Sequence, residues 1–181
     1  MDERKYALFG IIGPVVAFLF MAISITLSPW FSWWENALSD LGHAVTSDVA
    51  SVYNFGLLLA GFFIIIYSTT AFRNHAKYTS YFLLASALLL QLVAAFDEVY
   101  VFLHVLVSML LFISFGIASI VYAVERKCSL ALVAFMVGLI SWALYLAGIY
   151  KAGIAVPETI SSLATVSWVI LSALKISFGK K

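Results

Sequence analysis

Six long apolar runs, separated by short polar intervals, make up most of the chain. They cover about Tyr6–Ser28, Val49–Phe72, Tyr78–Ala95, Asp97–Val124, Ser129–Tyr150 and Pro157–Ile176. A helix needs roughly 20 apolar residues to cross a bilayer, and barrel strands alternate with period two instead. These runs are continuous, so the pattern predicts an all-α polytopic membrane protein. Its six transmembrane helices form a single bundle domain over residues 1–181. Pro14 lies inside the first run, where it would kink a helix. Ser47 or Asp48 would cap the second, and Pro157 falls in the first turn of the sixth. Arg4 and Lys5 precede the first run as they would in a signal peptide. No small-residue cleavage site follows, so that run reads as a retained helix.

The one long interval that is not a span is Trp30–Asp48, WFSWWENALSDLGHAVTSD. At helical spacing Trp30, Trp34, Leu38 and Leu41 share one face, and Glu35, Asn36, Ser39, Asp40 and His43 fall opposite. With Gly42 as a C-terminal stop, the interval predicts an amphipathic interfacial helix between spans one and two.

Composition strengthens the membrane reading. Of 181 residues 64% are hydrophobic and only 10% charged, against roughly 25% charged in soluble domains. So much apolar surface requires lipid as part of the solvent. The net charge of +1 offers nothing to nucleic acid. The single cysteine, Cys128, excludes an intrachain disulfide and a thiolate metal cluster.

The placement of charge is more telling than its sum. Arg4, Lys5, Arg73, Lys77, Arg126, Lys127, Lys175, Lys180 and Lys181 fall on one side of the predicted membrane, and Lys151 alone on the other. Nine against one places both termini in the cytoplasm of a multi-pass cell-membrane protein. Glu35, Asp40, Asp48, Asp97, Glu98 and Glu158 gather on the outer side, while Asp2, Glu3 and Glu125 stay inside. The outer acids are either solvated loop charges or the rim of an acidic pocket.

Candidate chemistry follows the same asymmetry. Asp97, Tyr100, His104 and Ser108 recur at one helical stripe, with His104 about 10 Å below Asp97 at 1.5 Å per residue. An ionisable side chain at that depth faces a bundle interior or a wet cavity. Asn54, Gln91, Tyr145, Glu158, Ser162 and Thr165 add polar atoms in the same outer half. Each of these taken singly reads as glue between helices, and so does the small-residue stripe Gly138, Ser141, Tyr145 and Gly148. His75 reads as a solvated loop residue and Cys128 as inert.

Asn36-Ala-Leu-Ser-Asp-Leu-Gly42, an Asn54 opening the second span, and Phe96-Asp97-Glu98 followed by His104 resemble a large prokaryotic membrane family. That family is catalogued only as domain of unknown function nine-nine-eight. Asp97 stands where it tends to have proline, and its late Glu and Trp correspond to Glu158 and Trp168. The resemblance covers nearly the whole chain. It implies six spans and an outer polar site around Ser39, Asp40, Glu98, His104 and Glu158, and it implies no reaction.

Two function classes lead. One is a hydrolase or transferase acting on a membrane lipid or lipid-linked substrate. It would use Ser39, Asp40, Glu98, His104 and Glu158 as catalytic groups and Asn54, Asp97, Tyr100 and Tyr145 to bind substrate. A divalent metal held by His43, Asp40 and His104 is open in that reading. The other is a non-enzymatic binding, transport or accessory protein. Against transport, nothing ionisable continues from His104 to the cytoplasmic side, and no repeat or pair of broken helices is visible. A haem protein would need a second deep histidine to face His104, and none is present.

Overall fold

The computed structural model describes residues 3–179. Asp2, Lys180 and Lys181, counted in the charge asymmetry, lie outside the described residues. Six helices are long and apolar enough to cross a membrane: Arg4–Leu27, Ala50–His75, Lys77–Ala95, Phe102–Glu125, Ser129–Leu146 and Ala155–Phe178. They are spans one to six below. Each packs against the next, and span six returns against span one, so the spans form a closed ring of antiparallel neighbours. Six crossings put the first and last described residues at one end of the bundle, the terminal end. The segments 28–49, 96–101 and 147–154 lie at the other, the loop end.

Where apolar burial cannot distinguish a neighbouring helix from lipid, close approach and polar pairing hold helices together. Gly13 of span one faces Ile64 and the Ala60 carbonyl, and Gly56 of span two faces the Phe20 side chain, so at each point a side chain of one helix packs directly on the backbone of the other. Tyr67 bonds Ser172 at 2.8 Å, Ser86 bonds Ser114 at 2.7 Å, and the Trp168 indole donates to Ser119 at 3.0 Å. Gln91 donates to the Leu58 carbonyl, which makes it a tie between spans two and three. Glu125, at the end of span four, accepts from the backbone N–H groups of Tyr78 and Thr79 and so caps span three.

The interior divides into two clusters. Trp168, Tyr67, Phe72 and Tyr122 centre the one near the terminal end. Leu38, Leu41, Tyr53, Leu57, Val107 and Leu111 form the one near the loop end. His75 belongs with the first. Its ring packs on Phe72 and Tyr122 and bonds the Tyr122 hydroxyl at 3.2 Å, so it is not the solvated loop residue expected of it.

Three local expectations change. The interval Trp30–His43 is not an amphipathic helix but a chain of turns ending in a one-turn 3-10 helix, Ser39–Gly42. Its expected apolar face splits: Trp30 and Trp34 are exposed, while Leu38 and Leu41 enter the core. The reason is competition for its backbone. Trp33 and Asn36 give their carbonyls to Gly153 and Ala155, and Leu38 and Ala37 give their N–H groups to Glu158 and Asp40. Those groups are therefore unavailable to a regular helix. Next, span four begins at Phe102 rather than Asp97. Asp97–Tyr100 forms a tight turn, and Val101 takes φ 39°, a left-handed conformation that breaks the helix. Finally, span two starts without a side-chain cap from Ser47 or Asp48, because Ser47 bonds back to the Leu41 carbonyl and Asp48 is exposed.

Candidate functional site: an acid and histidine cluster at the head of a lateral cleft

The segment Asn36–Gly42 is fastened residue by residue. The Asn36 amide accepts from Ser32 N–H at 2.9 Å and donates to Asp40 at 2.7 Å. Asp40 also accepts from Ala37 N–H at 3.0 Å. Leu38 N–H reaches the Glu158 carboxylate at 2.8 Å, tying the loop to the start of span six. The Ser39 hydroxyl donates to Glu98 at 2.5 Å. Leu41 is fully buried. Gly42 lies where a Cβ would come within 2.5 Å of Asn54 Oδ1 and 2.9 Å of the Tyr53 ring. Asn54 in turn donates to the Gly42 carbonyl at 2.8 Å. The polar side chains of the motif fix its backbone and place Ser39 on Glu98, while Leu38 and Leu41 anchor it in the core.

Span four supplies the histidine. His104 sits in its first turn and is 7% exposed. Its Nδ1 lies 2.8 Å from the Phe96 carbonyl, which can only accept, so Nδ1 carries the proton. In the neutral ring the lone pair is then on Nε2, whose neighbour is the Ser108 hydroxyl at 3.4 Å. The expected stripe of Asp97, Tyr100, His104 and Ser108 survives only as the pair His104 and Ser108, because Asp97 and Tyr100 precede the break at Val101.

Glu98 lies in that turn, outside the spans. Burial holds its carboxyl above the usual glutamate range, the Ser39 hydroxyl pulls it back, and the neighbouring Asp40 carboxyl raises it further. His104 acts to lower it.

These groups stand at the head of a cleft of about 720 Å³ between spans four, five and six. Ser39, Glu98, His104 and Glu158 line its loop end. Ser108, Trp142, Ser161 and Thr165 line its middle, and Gly116, Ile117, Ile120, Ala134 and Phe135 continue it toward the terminal end. Met109, Ile113 and Leu139 on its walls are more than half exposed, so the cleft opens sideways where lipid would lie. A smaller, apolar cavity of about 120 Å³ inside the bundle shares Ser39, Ser108 and Glu158 as wall residues.

Four of the candidate catalytic residues therefore line one place: Ser39, Glu98, His104 and Glu158. Asp40 stands behind Glu98. The candidate binding residues do not line the cleft. Asn54 holds Gly42. Asp97 braces the first loop by accepting from Ala44 N–H at 3.1 Å, and it caps its own turn at Val99. Tyr100 is exposed and packs edge-on to Phe96. Tyr145 packs on Trp142 and Tyr150. The expected metal set is not assembled either. His43 turns into its own loop, where Nδ1 accepts from Val45 and Thr46. Among the described residues no three His, Cys, Asp or Glu side chains form a group suited to a metal ion.

Sequence reasoning missed Ser161 and Trp142, whose indole N–H donates to the Ser161 hydroxyl at 3.3 Å on the cleft wall. Ser161 follows Glu158 by three residues, a spacing that would have signalled it. Trp142 carried no such signal, because a tryptophan in an apolar run looks like any lipid-facing ring.

The model of the family described as protein of unknown function (DUF998) matches residues 11–175. The chain belongs to that family. The match takes in all of Asn36–Gly42, Glu98, His104 and Glu158, so the cleft head lies wholly within the family region. No curated protein and no solved structure matches the chain.

Proposed function

We propose that the protein is a hydrolase or transferase whose substrate is a membrane lipid or lipid-linked molecule held in the lateral cleft. One observation carries this reading: an acid and histidine cluster at the loop end continues directly into an apolar groove that is open to lipid. An amphiphile fits such a site with its polar group at Glu98 and His104 and its tail between spans four and five.

The chemistry is acid–base. His104, oriented by the Phe96 carbonyl so that the neutral ring carries its lone pair on Nε2, is the general base that takes a proton from the attacking water or acceptor hydroxyl. Glu98, whose carboxyl burial and Asp40 hold above the usual glutamate range, is the group placed to pass a proton to the leaving group. Ser39 orients Glu98, and Glu158 orients the loop through Leu38. We further propose that the protein sits in the cell membrane with both termini cytoplasmic, because the basic residues follow the positive-inside asymmetry. That places the cleft head on the extracytoplasmic side.

The reaction is tested by incubating the purified protein with a total membrane lipid extract and following every lipid class by mass spectrometry. Wild type converts one class, and Glu98→Gln and His104→Ala lower the rate by about 10²-fold or more. No conversion by wild type, or equal conversion by folded variants, removes the catalytic reading. Lipid retained without conversion leaves the cleft as a binding site. Orientation is tested by reporter fusions at the C-terminus and at Gly148. Activity of an extracytoplasmic reporter at the C-terminus would overturn it.

A further inference from the structure

This inference rests on the cleft being a lipid site, and it concerns which lipid. The head of the cleft holds acids and one histidine. Among the described residues neither Lys nor Arg lines it, and Lys151 is exposed on the adjacent loop. Glu98 and Glu158 present carboxyl groups to the space, with Asp40 behind them. Glu158 spends Oε2 on Leu38 N–H, and no described residue donates to its Oε1. His104 presents Nε2, an acceptor in the neutral ring. The nearby hydroxyls of Ser39 and Ser161 already donate, to Glu98 and to the Pro157 carbonyl. The head therefore offers carboxyl and imidazole acceptors beside an absence of Lys and Arg among the described residues.

A phosphate or carboxylate headgroup is held best by Arg or Lys, and among the described residues neither lines this site. It would also meet carboxyl groups across a medium of low dielectric, where like charges repel strongly. An ammonium group reverses both terms. It brings three donors to an acceptor-rich pocket and a positive charge to a cluster of acids. We propose that the occupant is a long-chain lipid with a primary-amine headgroup and no phosphate, its nitrogen between Glu98 and Glu158. From His104 to Ile120 the groove runs about 24 Å at 1.5 Å per residue. One leaflet of the hydrocarbon core is about 15 Å deep. The groove thus has room for a tail lying lengthwise along span four.

The test is direct binding to the full-length protein in nanodiscs of neutral lipid. The probes are three radiolabelled compounds with one shared alkyl tail: a primary amine, an alcohol and a monophosphate ester. The amine binds about tenfold or more tighter than the phosphate ester, a difference of one charge pair at a partly desolvated site. Glu98→Gln and Glu158→Gln each weaken the amine by about tenfold and leave the alcohol within about twofold. Gly116→Leu fills the groove, since a Cβ there meets only the Phe135 ring at 3.5 Å, and it weakens amine and alcohol alike. Should Glu158→Gln fail to fold, Glu98→Gln on the shorter turn carries the comparison. Phosphate ester binding as tightly as amine overturns the headgroup assignment while the cleft reading stands. If none of the three binds above empty nanodiscs, the cleft is not a lipid site.

Discussion

At the residue scale, Glu98 and Gly42 carry the most. Glu98 is half-buried, and its folded carboxyl keeps its proton to a higher pH than the unfolded one, which titrates near 4.3. Between those two values the folded chain binds more protons than the unfolded chain. The contribution of Glu98 to stability is therefore full below about pH 4.3 and is lost as pH rises toward the raised folded value. Glu98→Gln, neutral at every pH, flattens that decline, which thermal unfolding in detergent across a pH series will show. A decline just as steep in the variant would assign it to another group. Gly42→Ala pushes a methyl into Asn54, already bonded to the Gly42 carbonyl, and into the buried Tyr53 ring, and costs about 1–3 kcal/mol in the same assay. Gly153→Ala costs more, because its Cβ meets the backbone of Asn36, which cannot rotate away.

At the scale of elements, the loop end behaves as one unit. Trp30–Val49 is tied to the turn before span four by Ser39–Glu98 and Ala44–Asp97, and to the entry of span six by Leu38–Glu158 and Asn36–Ala155. Asn36→Ala leaves Asp40 without its amide donor at a partly buried position. We expect a loss of about 1–3 kcal/mol and cleavage between Trp30 and Val49 at lower protease concentrations. Unchanged protease sensitivity would mean that the loop is held by its buried leucines alone. Val101 gives a second contrast. With φ 39° a β-branched residue is strained by about 1–3 kcal/mol, so Val101→Gly leaves thermal stability level or higher. Val105→Gly, in regular helix one turn on, loses about 1 kcal/mol.

Over the whole molecule, the two interior clusters separate support from site. Trp168→Ala empties the fully buried position at the centre of the terminal-end cluster and strands the Ser119 hydroxyl. It costs about 3–5 kcal/mol in thermal unfolding, while ligand affinity at the cleft head is retained in the folded fraction. Loss of both together would show that the clusters form one cooperative unit. The division also marks what could be read without coordinates. Six spans were legible because a run of about 20 apolar residues has one inexpensive arrangement in lipid. The polarity of one end was legible because Glu98, His104 and Glu158 stand out in an otherwise apolar sequence. The form of Trp30–His43 was not. Its helical spacing is real, yet Gly153, Ala155 and Glu158, more than a hundred residues away, take the backbone groups that a helix would use. The start of span four was not legible either, since Asp97 spends its carboxylate on Ala44 of the first loop and on its own turn. Periodicity along a chain reports which faces are apolar. Which backbone donors are claimed by distant carboxylates, and where three helices leave a cleft between them, exist only once the ring of spans has closed.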